Sequence, residues 1–241
     1  MNKKIAYVTD IHLDEPFTID QKVDARKNWN IILDDISSRG IDEIILGGDI
    51  GEKTANKWFF ESLQNYTIAI TLGNHDDYNE VIKYYNDGVV RERGALYYSK
   101  ELSYYKLLFL DSSSDSIDQE QFDWFTKELT TSKKIVLFIH HPILAVDAEI
   151  DKHYALKGRD LIKNKLVSFD NDVTIFCGHY HFEDKRNISN ICQYITPASS
   201  YQVVKTPNLI SITNKTFGYR IIELTKKKVH TNLVRFNLNN G

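Results

Sequence analysis

Five short apolar runs punctuate the first three-quarters of the chain, and each stops abruptly in polar residues. "IAYV" (5–8) runs into Thr9-Asp10-Ile11-His12, and "EIIL" (43–46) into Gly47-Gly48-Asp49-Ile50-Gly51-Glu52. "IAITL" (68–72) leads to Gly73-Asn74-His75-Asp76, "IVLFI" (135–139) to His140-His141-Pro142, and "VTIFC" (173–177) to Gly178-His179-Tyr180-His181. Continuous Ile- and Val-rich runs of this length predict strands buried on both faces. Helical spacing lies between several of them. Residues 20–39 place Val23, Trp29, Ile32, Leu33 and Ile36 on one face and stop at Gly40. Residues 118–130 carry Phe122, Phe125 and Leu129 at three- and four-residue spacing, with Asp118 as N-cap and Gln121 in the capping-box position. Alternating strands and helices predict βαβ units and a largely parallel sheet. From about residue 188, "NICQYITPA", "LISIT", "YRIIEL" and "VHTNLVRF" read as further strands, with Lys226-Lys227-Lys228 as the hairpin turn before the last.

Composition narrows the class. The chain has 241 residues, 42% hydrophobic and 26% charged, as expected of a globular protein with one large core. A net charge of −3 argues against a broad nucleic-acid surface. No apolar run approaches the roughly 20 residues that span a bilayer, and Ile5 to Val8 run straight into charged residues rather than a signal-peptide core. Cys177 and Cys192 lie in apolar stretches, which favours free thiols in a reducing compartment, hence a cytoplasmic protein. "LGGDIG" has glycines at 47, 48 and 51, which miss the dinucleotide-binding spacing.

The polar clusters carry the chemistry. In open α/β sheets, function gathers at the carboxyl ends of the strands. Six of the eight histidines (His12, His75, His140, His141, His179 and His181) fall in these clusters. A lone histidine at a strand end is ordinarily a hydrogen-bonded structural residue; this coincidence implies a shared site. Asp, Asn and His ligands without Cys suit Mn, Fe, Zn or Co. Their number exceeds what one tetrahedral zinc needs. Two divalent ions sharing a carboxylate, about 3.5–4 Å apart, would use them all, and such a pair hydrolyses phosphate esters.

At this point the residues resemble the calcineurin-like metallophosphoesterases. The family signature stands here in order as Asp10-Ile11-His12, Gly48-Asp49-Ile50-Gly51-Glu52, Gly73-Asn74-His75-Asp76, His140 and Gly178-His179-Tyr180-His181. "GNHDD" (73–77), "LLFLDSSSD" with "QFDWFTKEL" (107–129), "HHP" (140–142) and "ITPASSYQV" (195–203) look like the class III cyclic nucleotide phosphodiesterases and the related glycerophosphodiesterases. The resemblance implies a single four-layer α/β/β/α sandwich of two mixed sheets, with the C-terminal strands finishing the second sheet. It implies one metal held by Asp10, His12 and His181, another by Asn74, His140 and His179, and Asp49 bridging them. It places His75 by the leaving-group oxygen with Glu52 orienting it, and makes Asp76 either a catalytic partner or an acceptor behind a ligand histidine. His141, Tyr180 and Tyr78 are substrate-side candidates, although either tyrosine could simply pack. Residues 142–158 are a candidate lid, and Lys157 and Arg159 read more readily as a surface pair than as phosphate contacts. The implied reaction is attack on a small phosphodiester by a metal-bridging hydroxide, with His75 as proton donor. Alternatives are a phosphomonoesterase, a nucleotidase or a nucleotide-sugar or lipid pyrophosphatase on the same fold. A metal-free scaffold is disfavoured because every ligand position is filled. A homodimer is a further expectation; no membrane partner is expected.

Overall fold

A computed structural model describes residues 3–85 and 94–238. In chain order the first half comprises β1 (Lys3–Val8), α1 (Pro16–Asp20), α2 (Ala25–Ser38), β2 (Glu43–Leu46), α3 (Asn56–Ser62), β3 (Thr67–Ile70) and α4 (Tyr78–Val81). It continues with β4 (Tyr98–Glu101), β5 (Tyr105–Phe109), α5 (Gln119–Glu128), β6 (Lys134–Phe138), α6 (Glu149–Tyr154), α7 (Arg159–Val167) and β7 (Val173–Cys177). The last part is all strand: β8 (Asp184–Ile188), β9 (Ile191–Ile195), β10 (Gln202–Val203), β11 (Ile212–Thr213), β12 (Thr216–Leu224) and β13 (Val229–Asn237).

Two large mixed sheets result, ordered β13-β12-β1-β2-β3 and β4-β5-β6-β7-β9-β8. β1, β2 and β3 are parallel, as are β5, β6, β7 and β9, so all five predicted strands point their carboxyl ends the same way within their sheets. Side-chain alternation along a strand sorts each run into two environments. On β6, Val136 and Phe138 join the core between the sheets, while Ile135 and Leu137 join a second core under the helices. Across the interface the Tyr7 ring meets Phe138 at 5.7 Å and Phe176 at 6.0 Å. Trp29, Ile32 and Ile36 of α2 and Phe59 of α3 cover the first sheet, and Phe125, Ile162 and Leu166 of α5 and α7 cover the second. The architecture is the expected α/β/β/α sandwich.

Three details differ from the sequence reading. The β12–β13 hairpin joins the first sheet, not the second: β12 pairs antiparallel with β1 from Lys3↔Leu224 to Tyr7↔Arg220. The β1→β2→β3 crossovers build away from that side of β1, leaving its ladder open for a late strand; β9 and β8 finish the second sheet instead. α2 starts at Ala25 rather than at residue 20, because Asp24 caps it through Lys27 N–H at 2.9 Å and the chain turns at Lys22, whose φ is 59°. On α5 the Asp118 cap forms as predicted, accepting from Gln121 N–H at 2.8 Å. The Gln121 amide, however, turns inward to bond both the N–H and the carbonyl of Asp111. The 225–228 turn is a hairpin turn as read. Cys177 and Cys192 are free thiols. Among the described residues no helix is long and apolar enough to cross a membrane.

Candidate metal centre

The loops following β1, β2, β3, β6 and β7 are laced together before any side chain is considered. Asp10 N–H donates to Gly48 O at 3.0 Å, Ile11 N–H to Asp49 O at 2.8 Å, and Gly178 N–H to His140 O at 3.0 Å. Asp76 tightens the lacing. Its carboxylate accepts three backbone N–H groups, from Gly73 and Asp49 at 2.8 Å and from Ile50 at 2.9 Å. It therefore holds the Asp49 loop rather than a ligand histidine, which corrects the expectation for Asp76. Burial, with Asp49 nearby, pushes its carboxyl up to about 6. Glycine is required at two of these turns for close approach: a Cβ at Gly73 would collide with the Asp49 carboxylate, and one at Gly178 with Asp10 and Thr9. Asp10, His12, Asp49, His179 and His181 all adopt left-handed backbone, with φ between 51° and 69°. Asp and His tolerate that region better than most residues, and its clustering in one place marks a functional site.

Each expected ligand histidine has one ring nitrogen anchored to protein oxygen and the other turned inward. His12 Nδ1 meets Glu15 Oε2 at 2.9 Å, His140 Nδ1 meets Gly47 O at 2.8 Å, and His181 Nδ1 meets Tyr201 O at 3.1 Å. His179 is anchored through Nε2 to Tyr154 O at 2.9 Å, which leaves Nδ1. Anchoring of this kind fixes the tautomer and presents a lone pair to a metal. The inward atoms converge. His12 Nε2 lies 3.1 Å from His181 Nε2, which lies 3.4 Å from Asp10 Oδ1. Asp49 Oδ2 is 3.6 Å from His12 Nε2 on one side and 3.2 Å from His140 Nε2 on the other. His140 Nε2 is buried without a hydrogen-bond partner. Asp10, His12, Asp49 and His181 form one candidate cation group, and His140, His141 and His179 another. Burial opposes ionisation of Asp49, but His140 and His12 outweigh it and hold its carboxyl well below the usual range. Burial likewise pulls His140 down, and Asp49 overrides it, raising the imidazole to about 10. The donor set, the orphaned nitrogen and the anchored rings fit two divalent ions.

A cavity of about 290 Å³ opens over this convergence. Asn74 and His75 line it with His12, Asp49, His179 and His181, while Phe17, Ile150, Tyr154, Tyr201, Val203, Ile210 and Ile212 form its apolar wall. The 142–158 segment thus contributes Ile150 and Tyr154 to the rim, while Ile143, Leu144 and Leu156 anchor it in the second core.

Other expected residues stand elsewhere. His140 rather than His141 faces Asp49; His141 packs behind, with its ring 4.0 Å from that of His179 and Nδ1 on Ser112 Oγ at 2.9 Å. Burial, with His179 and His140 alongside, drives the His141 imidazole far below its ordinary value. Tyr180 is fully buried and donates to Asp151 at 2.8 Å, so it is not a substrate-side residue. The same Asp151 takes Arg159 in a bidentate pair at 2.6 and 2.8 Å, which removes Arg159 from phosphate binding. Tyr78 opens α4 and packs against the first core. Glu52 does not contact His75. That role falls to Glu15, whose Oε1 lies 3.2 Å from His75 Nδ1. The Glu15 pair, against a smaller burial effect, raises His75 to about 9. Glu15 was missed because the motif draws attention three residues beyond Asp49, whereas the acid came from three residues beyond His12. The carbonyls of Gly47, Tyr154 and Tyr201 were unreadable, since every residue carries one.

A model of the calcineurin-like phosphoesterase family matches residues 3–183. A protein from Fibrobacter succinogenes described as a probable cyclic nucleotide phosphodiesterase is 25% identical over 229 residues, covering 91% of this chain and 89% of that one. A 3′,5′-cyclic-nucleotide phosphodiesterase from Nostoc is 23% identical, covering 93% and 90%. Among solved structures, a dimetal phosphatase from Danio rerio superposes with a TM-score of 0.61 at 11% identity, covering 95% of this chain and 98% of that one, which supports the shared fold. The chain belongs to the calcineurin-like phosphoesterase family of hydrolases.

Proposed function

We propose that this chain is a dinuclear-metal-dependent phosphodiesterase acting on a cyclic nucleotide or another small diester. The observation that carries the reading is the Asp49 carboxylate, with Oδ2 poised between His12 Nε2 and His140 Nε2. Asp10, His12 and His181 would hold one ion, Asn74, His140 and His179 the other, and Asp49 would serve both; Mn, Fe, Zn and Co all suit these donors. Ions so bound supply positive charge to the phosphoryl oxygens and lower the pKa of water towards neutrality. His75 holds a proton on Nε2, the nitrogen opposite its Glu15 contact, and delivers it to the departing alkoxide, a step worth typically about 10²–10⁴-fold. Asn74, beside it in the cavity, contributes a neutral oxygen. The cavity wall supports a diester: its described lining is largely aromatic and aliphatic, with neither Arg nor Lys among the described lining residues, which suits a singly charged phosphate between two organic groups. The relatives described as cyclic nucleotide phosphodiesterases point the same way.

The test is hydrolysis of bis(p-nitrophenyl) phosphate against p-nitrophenyl phosphate, after chelation and re-addition of Mn²⁺. Metal-dependent turnover of the diester, lost in Asp49→Asn, is the expected result, with cyclic AMP tried next. Preference for the monoester would replace the reading with a phosphatase or nucleotidase.

A further inference from the structure

We infer that Glu15 is the positioning residue of this centre, one carboxylate that sets the ring orientation of both His75 on the leaving-group side and His12 on the metal side. The inference rests on the phosphodiesterase reading for its kinetic consequence, but its geometry stands alone. Both oxygens are committed, Oε2 to His12 Nδ1 at 2.9 Å and Oε1 to His75 Nδ1 at 3.2 Å. The two rings consequently stand edge to face with centroids 4.8 Å apart. Each ring is thereby pinned through Nδ1, so each presents Nε2 to the cavity. Glu15 itself is 8% exposed and tightly placed. Its backbone is extended, with φ −68° and ψ 136°, the conformation imposed on a residue that precedes proline, here Pro16. On its other side Asp14 is tied to Arg26 by two hydrogen bonds, at 2.8 and 2.5 Å. The carboxylate is therefore delivered by a short segment fixed at both ends. Glu52, the acid that follows the Asp49 motif, borders the groove beside His75 without contacting it.

A shared carboxylate predicts a coupled defect. In the transfer, a water-derived oxygen forms a new bond to phosphorus as the P–O bond to the leaving group breaks, with its electron pair on the leaving-group oxygen. The His75 Nε2–H bond breaks as the alcohol O–H bond forms; Glu15 keeps hold of Nδ1–H throughout. Loss of Glu15 should therefore hurt reactions in proportion to their need for that proton. The experiment compares wild type, Glu15→Gln, His75→Ala and Glu52→Gln on aryl diesters of graded leaving-group pKa. Metal content is measured alongside, with ¹⁵N NMR of the imidazoles in Zn²⁺-loaded protein. The expected result is a steeper leaving-group dependence in Glu15→Gln, approaching that of His75→Ala, with the loss at least about tenfold greater for phenol than for p-nitrophenol. The Nδ1–H signals of both His12 and His75 should shift or vanish in that variant. An equal loss across all leaving groups, unchanged imidazole signals, or the same steepening in Glu52→Gln instead would overturn the inference. Wild type that holds metal but cleaves no diester would count against the phosphodiesterase reading alone, and the imidazole signals would still decide on Glu15. Should Glu15→Gln misfold, Glu15→Asp keeps the charge but is one methylene too short to reach both rings, so it should lose one of the two signals.

Discussion

The two halves of the candidate metal centre are built from different charges. Asp10, His12, Asp49 and His181 are all buried and balance two carboxylates against two imidazoles. On the other side, His140 and His179 stand with neutral Asn74; Asp49 reaches His140 Nε2 at 3.2 Å, and Asp10 lies farther off at 3.9 Å. Asn74 is exposed, and the buried Nε2 of His140 lacks a hydrogen bond. The first half is thus electrostatically paired as the chain folds, and the second depends more on the ion it receives. An ion bound through more anionic oxygen is held more strongly, so under the proposed two-ion reading the halves should differ in affinity.

Breaking the shared element should have the largest effect. Asp49→Asn should cost turnover on the order of 10³-fold or more, through lost electrostatic stabilisation. Elemental analysis should show both ions depleted; retention of both would mean that Asp49 does not link the halves. Next comes His75→Ala, which should lower kcat by about 10²–10⁴-fold on diesters with poor leaving groups. Its metal content should match wild type, and loss of an ion there would reassign His75 as a ligand. Chelator titration followed by elemental analysis sharpens the comparison directly. One ion should leave before the other, and Asn74→Asp, by adding an anion to the poorer half, should delay that first loss. Simultaneous release in both proteins would show that the charge difference is immaterial. The smallest effect concerns support from behind. Asp151→Ala strands Arg159 and the Tyr180 hydroxyl, at about 2 kcal/mol measured by denaturant unfolding. It also loosens α6, whose Tyr154 carbonyl anchors His179, so it should weaken the second half by about tenfold and leave the first unchanged.

Much of this was legible because the chemistry lies where the hydrophobic pattern stops. Continuous apolar runs at 5–8, 43–46, 68–72, 135–139 and 173–177 announced parallel strands, and their polar endings announced the site. Contacts that depend on tertiary geometry were not legible. The motif points to Glu52 as the acid beside His75, and only the turn before Pro16 brings Glu15 there instead. Tyr180 lies between two site histidines, but the bend after β7, with left-handed backbone at His179 and His181, turns it into the second core, where Asp151 awaits it. The β12–β13 hairpin carried no mark of which sheet it would join, because an antiparallel strand fits any open edge of suitable length.

The left-handed backbone at Asp10, His12, Asp49, His179 and His181 also bears on how this protein should be dissected. Alanine at those positions would remove a donor and also place an unsuited residue in a disfavoured conformation, at roughly 1 kcal/mol or more each. An alanine scan would then report folding and ligation as one number. Asparagine accepts positive φ, so replacing each of the five by asparagine keeps the turn while changing the donor, and glycine at the same site gives the turn with no donor at all. The pair of substitutions turns a property of the main chain into an internal control.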